Sequence, residues 1–337
     1  MSTRSAARPL IRFVALGFLL AVTLAAGEIA ARLTRPPPRP LEPSHPVHFN
    51  REGFHDADHE VAKPAATYRA LCLGDSFTFA RGIPLRDSFC HRIGRHLEDG
   101  LRRDGRPETV EMVSFAREGL STAREVALLE HYRALDKAPD VLVLGYVLND
   151  PEDESDSAAL HALREPTLVR HPRGALAVLV RHSALAARVF ERVENTRRYR
   201  ALKHYYRHLH DPAYPGWQKV RDSFARLAEL TRASATHVVV AIFPLLDFPL
   251  GRRYPFRAIH ARVAELARAS GFDAIDLLPV LEPHAGPRLV LAPGIDPHPS
   301  AQAHHLVAEA IAGEITRAGW LAAPPTPSPA PQPSGEP

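Results

Sequence analysis

Five short apolar runs alternate with longer stretches of helical periodicity, and this alternation constrains the fold more than any other feature. The predicted strands are residues 68–73, 109–115, 141–145, 237–243 and 274–277, and the predicted helices are residues 88–101, 122–135, 217–233, 257–269 and 300–317. Strands and helices that alternate at this spacing favour right-handed crossovers and a parallel sheet with helices on both faces. We therefore expect an α/β fold built on a doubly wound, five-stranded parallel sheet. Thr122 and Glu125 have the spacing of a capping box, which predicts a helix start there.

Residues 1–35 have the pattern of a targeting segment. Arg4, Arg8 and Arg12 precede an apolar run, residues 13–27, in which only Thr23 is polar. The run is shorter than the ~20 residues of a comfortable spanning helix and long for the apolar region of a cleavable signal. Its basic N-terminal flank favours an N-terminus in the cytoplasm. We predict an uncleaved signal anchor, with a signal peptide cut within residues 24–27 as the first alternative and a buried helix of a soluble protein as the second.

The remaining regions divide by composition. Residues 36–48 form a proline-rich linker, predicted to be stiff and extended, and residues 322–337 form a Pro-rich tail, predicted to be disordered. The folded domain is expected over residues 49–321. Within it, residues from about 151 to 215 contain no clear strand and are interpreted as a helical insertion with helices at 175–194 and 197–210.

Charge and cysteine content exclude some functions. Lys and Arg total 42 against 38 Asp and Glu, and no dense basic run with interleaved aromatic residues indicates nucleic-acid binding. The two cysteines, Cys72 and Cys90, flank the first strand–helix turn; a disulfide is geometrically possible, but two buried thiols are the favoured interpretation. No Cys/His spacing of the zinc-binding kind occurs, so no metal or other cofactor is expected.

Polar residues and a glycine follow the predicted strands where a parallel sheet forms its sites. Ser76 follows the first strand, Gly119 the second and Asn149 the third, while Asp296 and His298 lie just before the last helix. Sites in open parallel sheets form at the carboxyl ends of strands, near a switch in strand order, and an order of 2-1-3-4-5 would make the first three loops neighbours. Each residue alone would more often be a helix cap or turn residue. All of them in this order indicate a nucleophilic serine with a base within reach.

These stretches resemble the four sequence blocks of the SGNH (GDSL-like) hydrolases. Residues 74–77 resemble the nucleophile block, Gly119 the glycine of the second block, residues 145–150 the third block, and residues 296–300 the final Asp/His block. The resemblance runs in the family order from about residue 50 to residue 315. The lead-in at residues 50–54 and the N-terminal segment are also similar to those of bacterial membrane-associated members.

Four positions depart from the family pattern without removing a catalytic group. Ser114 replaces a usual Asn and Ala116 a common Gly in the second block, the block that also contains Gly119. Asp296 is two rather than three residues before His298, and Ala303 replaces a usual Gly.

The resemblance implies a role for each site residue. Ser76 would be the nucleophile, His298 the general base and Asp296 the group that orients the imidazole. The backbone N–H groups of Ser76 and Gly119 and the side-chain amide of Asn149 would form the oxyanion hole.

Four neighbouring polar residues are given supporting roles. Asp75 and Asp150 are interpreted as acids that brace the loops, and His304 and His305 as helix-surface groups or groups that support the site.

The leading hypothesis is an extracytoplasmic serine esterase that removes O-acyl groups, acetyl or short acyl, from a carbohydrate or lipid-like substrate. The first alternative is a glycan O-acyltransferase that uses the same triad. The second is a catalytically silent envelope-assembly or glycan-binding protein. No Gly-x-Ser-x-Gly elbow of the α/β-hydrolase fold and no Walker-type phosphate loop is present.

Overall fold

A computed structural model describes residues 4–34, 45–152, 155 and 157–321. Most of the predicted linker and the whole predicted tail therefore lie outside the described residues. The chain divides into two compact units, residues 1–40 with 161–205 and residues 41–160 with 206–337. The helices are α1 (Arg4–Leu33), α2 (Ser76–Phe79), α3 (Phe89–Arg103), α4 (Thr122–His131), α5 (Ser157–Arg164), α6 (Gly174–His182), α7 (Ala184–Leu209), α8 (Pro215–Ser234), α9 (Arg257–Ala269), α10 (Leu278–Leu281) and α11 (Ala301–Arg317).

The second unit contains a five-stranded parallel sheet in the predicted order 2-1-3-4-5. Its strands are β1 (Thr67–Gly74), β2 (Thr109–Ala116), β3 (Val141–Tyr146), β4 (His237–Ile242) and β5 (Asp273–Asp276). Every residue of β1 and of β3 is buried, as is typical of parallel strands with helices on both faces. Helix α3 packs against α11, and α4 packs against α8. The predicted fold class is confirmed.

A second, two-stranded sheet was not predicted. Strand β6 (Val290–Ala292) pairs antiparallel with β7 (Asp296–Pro299), and α11 begins directly after it. The sequence of β7 is Asp-Pro-His-Pro, and two prolines in four residues hide a strand from any propensity argument. This short hairpin carries both Asp296 and His298.

The favoured interpretation of the cysteines as free thiols was wrong. Cys72 in β1 and Cys90 in α3 form a disulfide, with their Cα atoms 6.1 Å apart. Both residues are fully buried. Sequence alone does not reveal that the first turn of α3 faces β1 at this distance.

The helix start predicted from Thr122 and Glu125 is confirmed, because α4 begins at Thr122, but the two side chains do not form a capping box. Ser121 occupies the cap position of α4 without a side-chain hydrogen bond, and Thr122 is the first helical residue. The Thr122 hydroxyl donates instead to Asp150 Oδ2 at 3.0 Å, and Glu125 is buried. Both side chains are therefore buried in the interior instead of capping the helix.

The first unit contains the apolar N-terminal helix and most of the predicted insertion. Over the part of the chain that the structure describes, Arg12–Leu33 is the one segment long and apolar enough to cross a membrane, with a mean hydropathy of 2.1. A signal sequence passes the same test. The insertion differs from its predicted helices, because α6 ends at His182 and α7 continues without a break to Leu209.

Candidate active site

Ser76 is the first residue of α2, two residues past the end of β1, the strand between β2 and β3. Asp75 caps this helix, and its Oδ1 accepts the N–H of Phe77 at 2.9 Å. Ser76 itself remains partly exposed, while Phe77, Thr78 and Phe79 are buried. The serine hydroxyl is therefore presented at the carboxyl edge of the sheet by a helix whose other side chains are fixed in the core.

Two glycines allow α2 to sit this close to the strands. Gly74 and Gly145 are register partners at the ends of β1 and β3. A Cβ at Gly74 would lie 2.1 Å from Thr78 Oγ1, and a Cβ at Gly145 would lie 2.4 Å from the same atom. Thr78 therefore fills the space that the two missing side chains leave, and this packing fixes the position of Ser76 two residues earlier.

Ser76, His298 and Asp296 form a continuous chain of hydrogen bonds. Ser76 Oγ and His298 Nε2 are 3.0 Å apart, and His298 Nδ1 and Asp296 Oδ1 are 2.6 Å apart. The His298 backbone N–H also donates to Asp296 Oδ1 at 3.0 Å. The structure thus brings together three residues from parts of the chain 222 positions apart, in the geometry of a nucleophile, a base and an orienting acid.

The β6–β7 hairpin and one aromatic contact hold the imidazole in place. Asp296 and His298 are two residues apart on β7, so their side chains project from the same face of the hairpin. The ring of Phe77 lies edge-on to the His298 ring, with centroids 5.5 Å apart. His298 is partly exposed, which leaves its ring accessible to a substrate.

Asn149 and Gly119 follow the strands on either side of β1. Asn149 Nδ2 donates to Asp75 Oδ2 at 3.3 Å, so Asp75 orients the amide as well as capping α2. Gly119 has a φ of +71°, a conformation that a side chain disfavours, and a Cβ there would meet no neighbouring atom. The backbone conformation, rather than crowding, therefore requires glycine at this position.

A cluster of buried carboxyl groups beneath the site was not predicted as a unit. Asp75, Glu125 and Asp150 are each at most 1% exposed. Neither carboxylate oxygen of Glu125 has a hydrogen-bond partner among the described residues. Burial raises the pKa of Glu125 well above its ordinary value, and the charge of Asp75 raises it further. Burial likewise raises the pKa of Asp150, with Glu125 and Asp75 adding to the effect.

Asp56 attaches the segment before β1 to β2, the strand that leads to Gly119. Its Oδ2 accepts the N–H of Ser114 at 2.6 Å, and its two oxygens contact His59 and His91, each at 3.1 Å. Burial alone would raise the pKa of Asp56, but hydrogen bonds from both histidines outweigh it and lower the pKa to about 2. The conformation of β2 at Ser114, where the family pattern departs, is thus fixed from outside the strand.

His304 is a buried structural residue rather than a surface group. Its Nδ1 accepts the N–H of Phe89 at 3.0 Å, and its ring stacks on the Phe89 ring. Burial lowers the pKa of His304 to about 3, so the ring is neutral. His305, the next residue, is exposed. Among the described residues, no group of three or more His, Cys, Asp or Glu side chains is arranged to hold a metal ion.

A cavity of about 200 Å³ begins at Asp150, the residue after Asn149. Its lining includes Ser121 from the loop after Gly119, and the side chains of Arg124 and Lys219. Lys219 Nζ donates to Ser155 Oγ at 2.8 Å, and Arg124 Nη1 donates to the carbonyl of Gly119 at 3.4 Å. A cavity with both apolar and charged lining residues therefore adjoins the two loops that carry Gly119 and Asn149.

Residues 72–306 match the family model of the GDSL-like lipases and acylhydrolases. The match covers more than half of the chain and includes every predicted site residue. No curated protein sequence matches the chain significantly.

Several solved structures resemble the chain at low sequence identity. The crystal structure of TesA is 16% identical and covers 74% of this chain and 98% of its own, with a TM-score of 0.43. An acetyl xylan esterase, AlAXEase, is 15% identical over 73% of this chain and 99% of its own, with a TM-score of 0.42. A variant of an acetyl-xylooligosaccharide esterase from Geobacillus is 12% identical over 74% of this chain and 94% of its own, with a TM-score of 0.44.

Proposed function

Because this chain belongs to the GDSL-like lipase/acylhydrolase family and is therefore an enzyme that hydrolyses esters, we propose that it is a serine esterase whose nucleophile is Ser76. The hydrogen-bond chain from Ser76 through His298 to Asp296 carries this proposal. The proposed substrate is an O-acyl group, acetyl or short acyl, on a carbohydrate or lipid-like molecule outside the cytoplasm.

In the proposed mechanism, Ser76 Oγ attacks the ester carbonyl while His298 Nε2 accepts the hydroxyl proton. Asp296 stabilises the imidazolium that forms, and His298 then donates the proton to the leaving alcohol. The acyl group remains on Ser76 until a water molecule, deprotonated by the same imidazole, attacks it. The second step releases the carboxylic acid and restores the serine hydroxyl.

We propose that three donors stabilise the tetrahedral oxyanion: the backbone N–H groups of Ser76 and Gly119 and the amide of Asn149. Asn149 is supported in this role by Asp75, which accepts one amide hydrogen and leaves the other available. The N-terminus of α2 adds a small favourable dipole at Ser76. The loss of one such donor typically costs about 3 kcal/mol of barrier height.

Two observations support a location outside the cytoplasm. The Cys72–Cys90 disulfide is of a kind that persists in oxidising compartments and is rare in the cytosol. The helix over Arg12–Leu33 is apolar and follows basic residues, as a signal anchor or signal peptide would. We propose an uncleaved anchor in the cell membrane, with a cleaved signal as the alternative.

A glycan O-acyltransferase is the second candidate, favoured by the cavity beside Asp150, whose lining includes Ser121, Arg124 and Lys219. An acceptor hydroxyl bound there would compete with water for the acyl group on Ser76. The two activities differ only in which nucleophile resolves this intermediate.

Hydrolysis of aryl esters of graded chain length tests the esterase proposal. We expect turnover to be highest for acetyl or short acyl esters and to fall by roughly 10⁴-fold in Asp296→Asn, where the imidazole loses its orienting charge. Each ester is then assayed with and without a soluble polysaccharide acceptor. Free acid as the sole product supports the esterase, and an acylated polysaccharide supports the transferase. Equal rates for Asp296→Asn and the unaltered protein would contradict both.

A further inference from the structure

The insertion in the first unit exposes an unusual set of apolar side chains. Leu168, Val169, Leu176, Val178 and Leu179 are each between 45 and 60% exposed. Leu176 and Leu179 are three residues apart on α6, so they share one side of that helix. No residue of α6 is buried. We call these five side chains the insertion apolar set.

The backbone around the insertion apolar set is held firmly, although its side chains are exposed. Arg197 Nη2 donates to the Leu168 carbonyl at 2.5 Å, and Arg198 Nε donates to the Thr167 carbonyl at 3.0 Å. Glu194 Oε1 accepts the N–H of Arg170 at 2.8 Å. The exposure is therefore a property of an ordered surface, because polar side chains of α7 fix the segment that carries it.

The junction between α6 and α7 is joined to the end of α1. The Glu28 carboxylate accepts hydrogen bonds from Ser183 Oγ at 2.7 Å and from the N–H groups of Ala184 and Leu185, both at 2.9 Å. Arg32 Nη2 donates to the His182 carbonyl at 3.2 Å. Glu28 thus caps the N-terminus of α7 from a position 155 residues earlier in the chain.

These hydrogen bonds fix the position of the C-terminal end of α6 along the axis of α1. Residues 13–33 of a helix extend for roughly 31 Å, close to the ~30 Å hydrocarbon core of a bilayer. Glu28 lies about 7 Å before the end of that length. If α1 spans a membrane, the end of α6 lies at the boundary between hydrocarbon and headgroups.

The part of the insertion that lies in the first unit is strongly basic. Residues 161–205 contain nine arginines and one lysine against three glutamates, whereas the whole chain has a formal charge of only +4. Arg170 and Arg173 precede α6, and Arg181 lies in its last turn. Basic residues that flank exposed apolar side chains are typical of surfaces that bind anionic membranes.

We propose that the insertion apolar set inserts into the outer boundary of the same bilayer that α1 spans, with the flanking arginines on anionic lipid headgroups. This inference rests on the proposed membrane attachment through α1. It adds a second contact with the bilayer, made by α6 and the segment before it, which would hold the insertion at the membrane surface.

The full-length chain in proteoliposomes tests this proposal through labels placed on single introduced cysteines. Leu176→Cys and Leu179→Cys each receive an environment-sensitive fluorophore, without reductant so that Cys72 and Cys90 stay paired. Leu20→Cys in α1 is the positive control, and Val61→Cys, 59% exposed in the second unit, is the matched negative control. Nitroxide-labelled lipids then report contact with the bilayer.

We expect the labels at 176 and 179 to shift to the blue and to be quenched several-fold more strongly than the label at 61. Replacing anionic by zwitterionic lipid should weaken this quenching while leaving that at 20 unchanged. Quenching at 20 with none at 176 or 179 would overturn the inference and leave the anchor intact. Blue-shifted but unquenched labels at 176 and 179 would show that another protein surface covers them, which also overturns it. Absence of quenching at 20 would overturn the anchor and the inference together, without bearing on the esterase.

Discussion

Glu125 departs furthest from the interpretation that its sequence context suggests. The spacing from Thr122 is that of a capping box at a helix start, yet the side chain is fully buried and neither carboxylate oxygen has a partner among the described residues. A buried, unpaired carboxylate is costly, so such a group keeps its proton instead. We infer that Glu125 is neutral in the folded enzyme, whereas Asp75 accepts hydrogen bonds from Phe77 and Asn149.

The variant Glu125→Gln tests this protonation state. Because the folded state raises the pKa of Glu125, its contribution to stability is fully present below the ordinary pKa of a glutamate and is lost as the pH rises through the raised value. Glutamine resembles the protonated acid and cannot ionise. We expect chemical denaturation to show that the free energy of unfolding falls less steeply with pH in the variant than in the unaltered protein.

The control is Glu265→Gln, at an exposed position of α9. It should leave the pH dependence of stability unchanged. Identical pH dependences for Glu125→Gln and the unaltered protein would contradict a neutral Glu125.

At the scale of elements, the placement of α2 depends on Gly74, the last residue of β1, and on Gly145, the last residue but one of β3. A side chain at Gly145 would overlap Thr78 Oγ1, a buried hydroxyl that has no partner among the described residues. In the sequence, each of these glycines simply follows an apolar run. Only the parallel register of β1 and β3 shows that both face the same threonine.

Gly145→Ala should displace α2 and with it Ser76. Overpacking of this kind costs about 1–3 kcal/mol of stability, and a displaced nucleophile should lower kcat more than it raises KM. Thr78→Ala alone should be well tolerated, because it removes an unpaired hydroxyl. The double variant Gly145→Ala/Thr78→Ala should recover part of the lost stability, measured by thermal unfolding, and part of the lost kcat, measured with an ester substrate. Additive effects of the two substitutions would contradict the packing described.

The disulfide joins β1 to α3, the two elements on either side of the site serine. A cross-link between residues 18 positions apart is expected to stabilise the fold by about 3 kcal/mol, since it restricts the unfolded chain. Urea denaturation with and without reductant should reveal this difference. The control is Cys72→Ser/Cys90→Ser, whose stability should not respond to reductant; an unaltered protein that is equally insensitive would contradict a structural disulfide.

Much of the sheet could be predicted from the sequence, because each strand is an apolar run that ends at a recognisable turn. The five strands, their order and the meeting of Ser76 with His298 follow from that pattern and from the family resemblance. Features formed between distant segments could not be predicted in the same way. The break between α6 and α7 at Ser183 depends on Glu28, and the Asp296–His298 hairpin depends on pairing with Val290–Ala292.

At the scale of the whole molecule, the proposed catalytic residues belong to one unit and the proposed membrane-binding residues to the other. The second unit contains the parallel sheet, the disulfide and the site residues, whereas the first contains the apolar helix and the arginine-rich insertion. The catalytic proposal draws on the second unit alone, and the membrane proposals draw mainly on the first. Each can therefore fail without the other.

Labelling by a fluorophosphonate tests the central claim most directly, because the reagent forms a stable adduct only with an activated serine. Intact mass and peptide mapping of the labelled full-length protein should show one adduct, on Ser76. Labelling should be abolished in Ser76→Ala and slowed by orders of magnitude in His298→Ala, which keeps the serine but removes the base. Labelling that persists in Ser76→Ala, or that proceeds at the unaltered rate in His298→Ala, would contradict the account.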